Sequence, residues 1–429
     1  MGRFSYIETA PVPERALLLG IDRASSPWPV DRSLDELERL AHTAGAEVVA
    51  RLTQRLDRPV PRTFIGSGKV EELVGMVRQL SIDVVIFDDE LTPSQQSNLE
   101  HAVGEPVKII DRTALILDIF GRHAKTREGR LQVQLAQLQY LLPRLRGMWT
   151  HLAKEQTRGG IGSRFGQGES QLEVDRRMIR NRIAALRRQL ETLERRREVQ
   201  SRARLESPAF RIALTGYTNA GKSSLLNRLT GSSVLAQDKL FATLDPTTRS
   251  LALPGGRVVT VTDTVGFIQK LPTSLVESFK STLSEVLTAD LICKVVDVSD
   301  DDWKRHLAAV ESVLADIGAD ERRALTVFNK VDLLEPSERM GLARSHPDAV
   351  VVSACSGFGI DELMERLSRE ASSADRLLTA VIPYREGALL QALHEQALVL
   401  NEEYLPEGTR LVVKAAPRLA AELERYRVL

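Results

Sequence analysis

Apolar positions over the first 120 residues alternate between two periods. Short runs at Ala16–Ile21 and Glu47–Leu52 predict strands, and between them Leu34, Leu37 and Leu40 mark the buried stripe of a helix from Asp31 to Ala44. Val70–Leu80 then reads as helix, Asp83–Phe87 as strand, Pro93–Val103 as helix and Val107–Ile110 as strand. This alternation predicts a small parallel sheet with helices on its faces. Gly66-Ser67-Gly68-Lys69 looks like half a phosphate loop, but without the first Gly and its spacer it reads as a turn opening the Val70 helix.

From about Thr126 the period changes. Leu131, Val133, Leu135, Leu138, Leu141 and Leu142 sit among Gln residues in one long helical stretch, which Pro143 kinks or ends. The segment Arg158–Glu169 holds five Gly and two Arg in twelve residues, a composition that predicts an irregular tip exposing Ile161 and Phe165. A second long helix follows from about Leu172 to Arg204, with Ile179, Ile183, Leu186, Leu190 and Leu193 at near-heptad spacing. Two long helices joined by a loop predict an antiparallel coiled-coil arm. Between Gln171 and Glu206 there are eleven Arg, no Lys and six acidic residues, a local charge of +5. Charge runs are usually solvated helix faces. An all-Arg set beside a Gly-rich tip favours instead a polyanion such as RNA, because guanidinium groups fork onto phosphates and stack on bases.

Beyond Ser207-Pro208, which reads as a linker, the apolar run Ile212-Ala213-Leu214 leads into Gly216-Tyr217-Thr218-Asn219-Ala220-Gly221-Lys222-Ser223 and then a helical pattern. Strand, Gly-rich loop and helix are the context that a G-x-x-x-x-G-K-[ST] phosphate loop requires. Its backbone N–H groups and helix N-terminus suit phosphate oxygens, Lys222 suits the β- and γ-phosphates, and the Ser223 hydroxyl suits Mg²⁺. Three more strand ends follow in order. Asp263-Thr264-Val265-Gly266 supplies a carboxylate that supports Mg²⁺ and a Gly for the γ-phosphate. Asn329-Lys330-Val331-Asp332 supplies a carboxylate to accept from guanine N1–H and the 2-amino group, a pair that adenine lacks. Ser353-Ala354-Cys355 lies where guanine O6 would be met. Between the phosphate loop and Asp263, Leu240–Arg249, which contains Phe241-Ala242-Thr243-Leu244-Asp245, reads as a mobile switch; of its competing threonines, Thr243 is the one chosen as offered to Mg²⁺ and the γ-phosphate. Together these predict a GTPase that turns GTP into GDP, with Lys222, Thr243 and Gly266 nearest the chemistry.

Pro254-Gly255-Gly256 predicts a hairpin turn, and the last 55 residues alternate strand and helix without a catalytic constellation. The reading is an α/β multidomain chain. It comprises an N-terminal α/β domain (1–120), the long antiparallel helical arm (121–206), a Ras-like P-loop GTPase domain (209–370) and a small C-terminal α+β domain (375–429). Composition adds little, since a net charge of zero over 429 residues hides the basic arm. Two cysteines, Cys293 and Cys355, make no disulfide framework and fit a reducing compartment. No signal peptide or membrane span is legible, so a cytoplasmic monomer is expected.

These motifs resemble those of the HflX family of translation-associated GTPases. GYTNAGKS, FATLD, DTVGF, NKVD and SA match its guanine-nucleotide motifs, while the segments 111–120, 134–138, 166–169 and 173–177 match outside the nucleotide region. The resemblance implies an N-terminal α/β domain with a helical arm, and binding to the large ribosomal subunit through its rRNA and proteins. Some members are described as splitting ribosomes under stress and as binding ATP in the N-terminal domain. The resemblance leaves splitting, rescue and biogenesis open as roles. It also places Phe267 where many small GTPases carry a water-orienting Gln. The alternative is a GTP-dependent switch in assembly or signalling whose partner is a protein.

Overall fold

Four parallel strands open the chain in the computed structural model, which describes residues 13–156, 165–205, 210–231, 240–241, 245–270, 285–373, 375–415 and 417–428. Two compact units are distinguished, Met1–Glu191 with Lys270–Ser278 and Thr192–Gln269 with Phe279–Leu429. In the first, Glu14–Asp22 (β1), Ala46–Arg55 (β2), Val84–Phe87 (β3) and Lys108–Asp111 (β4) lie in the order β2-β1-β3-β4. Ala16 to Leu19 is apolar without alternation because β1 is central and covered on both faces. Helices Val30–Thr43 (α1), Ser67–Leu80 (α2) and Pro93–Val103 (α3) supply the crossovers. The Gly66–Lys69 segment is a helix start: Gly66 N–H donates to Gln54 Oε1 at 3.0 Å and α2 begins at the next residue.

A fourth helix, Arg112–His123 (α4), has no counterpart in the sequence reading. Its apolar residues Leu115, Ile116, Leu117, Ile119 and Phe120 are nearly continuous and all buried, so no 3.6 period stands out. The Asp111 carboxylate caps it, accepting from Ala114 N–H at 2.9 Å. Arg112 is 2 % exposed and its guanidinium donates to Glu36 at 2.6 Å, to the Ser33 carbonyl at 3.0 Å and to the Asp88 carboxylate. Burial works against an ionised Asp88, but Arg112 and Lys270 outweigh it and hold the carboxyl well below the usual carboxylate range.

Arg127–Gln156 (α5) and Phe165–Leu205 (α6) form the expected pair of long helices. Their eight-residue connection spans at most about 28 Å, whereas α5 is roughly 45 Å long, so the two run antiparallel. They pack through Leu135, Ile183 and Leu186, with Leu131, Leu138, Leu142, Ile179 and Leu190 against them. Pro143 lies within α5 and does not end it. The adjacent Arg144 ties that turn down by donating to the Leu91 carbonyl at 2.7 Å and pairing with Asp111 at 3.2 Å. Helix α6 begins earlier than the composition predicts. Phe165–Glu169 belongs to α6 despite Gly166 and Gly168, since Gly in a helix costs only about 1 kcal/mol and a long helix propagates through it. Residues 157–164, with Ile161, lie outside the described residues.

The second unit holds a six-stranded sheet of Arg211–Gly216 (β5), Thr247–Ala252 (β6), Val258–Asp263 (β7), Leu291–Asp297 (β8), Ala324–Asn329 (β9) and Val350–Val351 (β10). Its order is β10-β9-β8-β5-β7-β6, parallel except for β6, which pairs with β7 as the hairpin turning at Pro254–Gly256. Helices Lys222–Thr230 (α7), Trp303–Asp316 (α8), Pro336–Ser345 (α9) and Ile360–Ala371 (α10) complete this part. A three-stranded antiparallel sheet follows, in which Gly408–Ala415 (β13) lies between Arg376–Ile382 (β11) and Leu398–Leu405 (β12). Helices Gly387–Gln396 (α11) and Pro417–Leu423 (α12) cover one of its faces through Leu393, Leu419 and Leu423. The sequence reading lacks β12, whose alternation is broken by a register shift between Val399 and Asn401. Next to the hairpin turn, Arg257 forms a buried ion pair with Asp375 at 2.7 Å and donates to the Ala371 carbonyl at 2.7 Å.

Candidate functional site

The strand ends of the six-stranded sheet bring the four motifs together. β5 turns at Gly216 into the loop 217–221, and α7 starts at Lys222. Gly221 has φ +88°, and a Cβ there would lie 2.2 Å from Asn329 Nδ2, so only glycine lets the loop close on the Asn329 side chain. Lys222 is 6 % exposed, and its ammonium donates to the carbonyls of Gly216 at 3.2 Å and Tyr217 at 2.9 Å. Burial pushes its pKa down to about 8, with Asp263 acting in the opposite direction.

The Ser223 hydroxyl donates to Asp263 Oδ2 at 2.6 Å. Two hard oxygens side by side at a helix start suit Mg²⁺, which takes few protein ligands and shares the rest with phosphates and water. No cluster of three or more His, Cys, Asp or Glu that could form a closed metal cage occurs among the described residues. Thr264 donates its hydroxyl to the Leu214 carbonyl at 2.8 Å, which ties the 263–266 segment to β5. Gly266 is pressed on the phosphate loop: a Cβ there would stand 2.8 Å from Thr218 Cα and 3.0 Å from Lys222 Nζ. Beside it, Thr218 N–H donates to the Phe267 carbonyl at 2.7 Å and Phe267 N–H to the Gly216 carbonyl at 3.0 Å. The Phe267 ring is 1 % exposed. Tyr217 accepts at its hydroxyl from Gln269 N–H at 2.7 Å while its ring stacks on His306 at 4.0 Å. Of the switch segment, Phe241 is buried and in the left-handed region, and Asp245 borders β6. Ala242, Thr243 and Leu244 lie outside the described residues.

At the end of β9, Asn329 bridges two motifs. Its Nδ2 donates to the Ala220 carbonyl at 2.9 Å, and its Oδ1 accepts from Ala354 N–H at 3.0 Å. Lys330 is left-handed (φ +63°) and pairs with Asp297 at 2.6 Å. Val331 is buried, and Asp332 stands exposed in the short 3-10 turn Val331–Leu333. Val265 is buried in the 263–266 segment. Ser353 is fully buried and its hydroxyl accepts from Ser356 N–H at 3.0 Å, which closes the loop that carries Ala354 and exposed Cys355. Sequence reading missed the tie between Asp297 and Lys330, the Tyr217 hydroxyl and Arg228, whose side chain reaches this loop from α7. Only the tyrosine carried a signal, as the one aromatic residue within the phosphate loop. Cys293 sits inside β8, where burial pushes its thiol up to about 12 and leaves it unreactive.

A parallel sheet with one antiparallel edge strand, whose strand ends carry a phosphate loop, D-x-x-G and N-K-x-D, defines a P-loop GTPase. Family models match along the chain in succession: a "GTP-binding GTPase N-terminal" model at residues 31–121, a "GTP-binding GTPase Middle Region" at 123–204 and a "50S ribosome-binding GTPase" at 211–330. A GTPase HflX from Magnetococcus marinus is 45 % identical over 98 % of this chain and 97 % of its own length. Those of Caldanaerobacter subterraneus and Escherichia coli are 46 % and 42 % identical over 96 % and 87 % of the chain, covering 94 % and 87 % of their own lengths. The chain belongs to the HflX family, and it is a GTP-binding, GTP-hydrolysing enzyme. Among the described residues no helix is long and apolar enough to cross a membrane.

Proposed function

We propose that this GTPase docks on the large ribosomal subunit through its helical arm, as a cytoplasmic monomer, and that its hold on the ribosome follows the bound nucleotide. The observation that carries this reading is the arm's basic face. Arg177, Arg180, Arg182, Arg187 and Arg188 are all exposed on α6, in a stretch of eleven Arg and no Lys. The description of the matched nucleotide-domain family, a 50S ribosome-binding GTPase, agrees with it.

In the same reading the phosphate loop 216–223 cradles the phosphates, Lys222 neutralises their charge, and Asp332 accepts from the guanine N1–H and 2-amino group. Mg²⁺, held by Ser223 with Thr243 and supported by Asp263, would screen the charge that develops on the phosphates. Gly266 N–H and the Thr243 segment would meet the γ-phosphate and report its loss as a conformational change. Ala354 and Cys355 would meet guanine O6.

Sedimentation of the full chain with purified large subunits tests the docking, with a non-hydrolysable GTP analogue and with GDP, each at two salt concentrations. Binding that needs the analogue and falls steeply with salt is the expected result. Binding indifferent to nucleotide and salt would favour a protein-partner switch instead.

A further inference from the structure

The base loop at 353–355 is held by a side chain that belongs to none of the nucleotide motifs. Arg228, in the second turn of α7, donates from Nε to the Ala354 carbonyl at 3.0 Å and from Nη2 to the Cys355 carbonyl. The rest of the loop is tied by its own backbone and by Asn329. Ser353 N–H donates to the Phe358 carbonyl at 2.9 Å, Gly357 N–H to the Ser353 carbonyl at 2.9 Å, and Ala354 N–H to Asn329 Oδ1 at 3.0 Å. The guanidinium also faces Gly357, which is left-handed at φ +89° and would place a Cβ 3.7 Å from the Arg228 Cζ atom. The carbonyls of 354 and 355 are thus fixed by the forked donor of Arg228.

A peptide unit is planar, so a fixed carbonyl fixes the N–H on its far side. Holding the Ala354 carbonyl aims the Cys355 N–H, and with Asn329 holding the Ala354 N–H the whole tip of the loop has one orientation. The anchor is also placed to link the two ends of a nucleotide. Lys222 starts α7, and Arg228 lies six residues on, roughly 9 Å along the same rigid helix. Arg suits this task because its planar fork reaches two acceptors at once, which a Lys ammonium on a flexible stem does not.

We propose that Arg228 is a positioning residue for base recognition, which orients the Cys355 N–H toward the O6 of guanine. It rests on the reading that this loop meets O6. The test compares the affinity of the full chain for GDP, IDP and 6-thio-GDP, in the parent and in Arg228→Ala and Arg228→Lys. IDP keeps O6 and lacks the 2-amino group; 6-thio-GDP keeps the 2-amino group and replaces O6 with a poor acceptor. In Arg228→Ala, GDP and IDP should both weaken about tenfold, the scale of one misdirected hydrogen bond. The analogue 6-thio-GDP should change far less, so that preference for GDP over it collapses while the GDP-to-IDP ratio stays put. Arg228→Lys should recover part of the loss. Equal weakening of all three ligands would make Arg228 a support of the fold only, and unchanged GDP affinity would remove it altogether. Absence of any preference for GDP over 6-thio-GDP in the parent would overturn the O6 reading on which the proposal stands.

Discussion

Lys222 keeps a buried ammonium whose pKa is pushed down to about 8 by burial, against an ordinary value near 10.5. The charged form therefore weighs against the folded protein below about pH 8, and this cost is relieved as pH rises toward the unfolded value. A phosphate beside the ammonium reverses the preference, so nucleotide binding should take up a proton above about pH 8. GDP affinity is expected to fall with pH from there, by up to about tenfold per unit. Calorimetry at pH 7 and pH 9, in buffers of different ionisation enthalpy, would show the proton uptake; a pH-independent affinity would contradict it. At the base end, Asp332→Asn reverses one donor–acceptor pair, so the variant should prefer xanthosine over guanosine nucleotides. A variant that still prefers GDP over XDP would show that Asp332 does not read the base. The places of both residues beyond strand ends were legible from spacing, since a motif specifies the local backbone. Arg228 and Asp297 were not, because their partners lie 126 and 33 positions away in the chain.

The elements with a clear period were legible, and those without one were not. Helix α4 is buried on nearly all sides, and what places it is the polar cluster at its start: Arg112 with Asp88, Glu36 and Ser33. Removing one partner of a buried pair leaves an unpaired charge, so Arg112→Leu should destabilise the first unit by about 3–5 kcal/mol. The midpoint of urea unfolding checks this, and a change within error would mean that the cluster is not a stabilising pair. The Asp88 carboxyl titrates below its ordinary value, so its contribution is present above that value and lost as pH falls through the lower range. Acid sensitivity below about pH 4 should accordingly be smaller in Asp88→Asn than in the parent.

At the scale of the whole molecule, the phenyl ring of Phe267 has no group to orient an attacking water; it is buried, and only the backbone of Phe267 bonds to the phosphate loop. Intrinsic GTP hydrolysis is expected to be slow, and Phe267→Ala should not abolish it. Purified large subunits should raise turnover by orders of magnitude, as complementation does in other GTPases. A fast rate without any partner would refute this. Neutralising Arg177, Arg180 and Arg187 should weaken ribosome binding and flatten its salt dependence. Unchanged binding at two salt concentrations would return the arm to a solvated helical pair.

Sequence alone determined what depends on neighbours along the chain. The order β5, glycine loop, α7 follows from an apolar run, a G-x-x-x-x-G-K-S spacing and a helical period. The strand ends at Asp263 and Asn329, and the one just before Ser353, follow from apolar runs that stop at polar residues. The length of the arm follows from a long helical stripe, although glycines at 166 and 168 hid where its second helix begins. Tertiary structure decided what depends on burial and on distant partners. Asn329 joins the phosphate loop to the 353–355 loop, Arg112 is buried with its countercharges, β12 closes the last sheet through a bulge, and Arg228 holds the 353–355 loop. Spacing records local conformation, because each residue constrains only its near neighbours. A side chain's hydrogen bonds to remote carbonyls arise only when the sheet has brought the strand ends together.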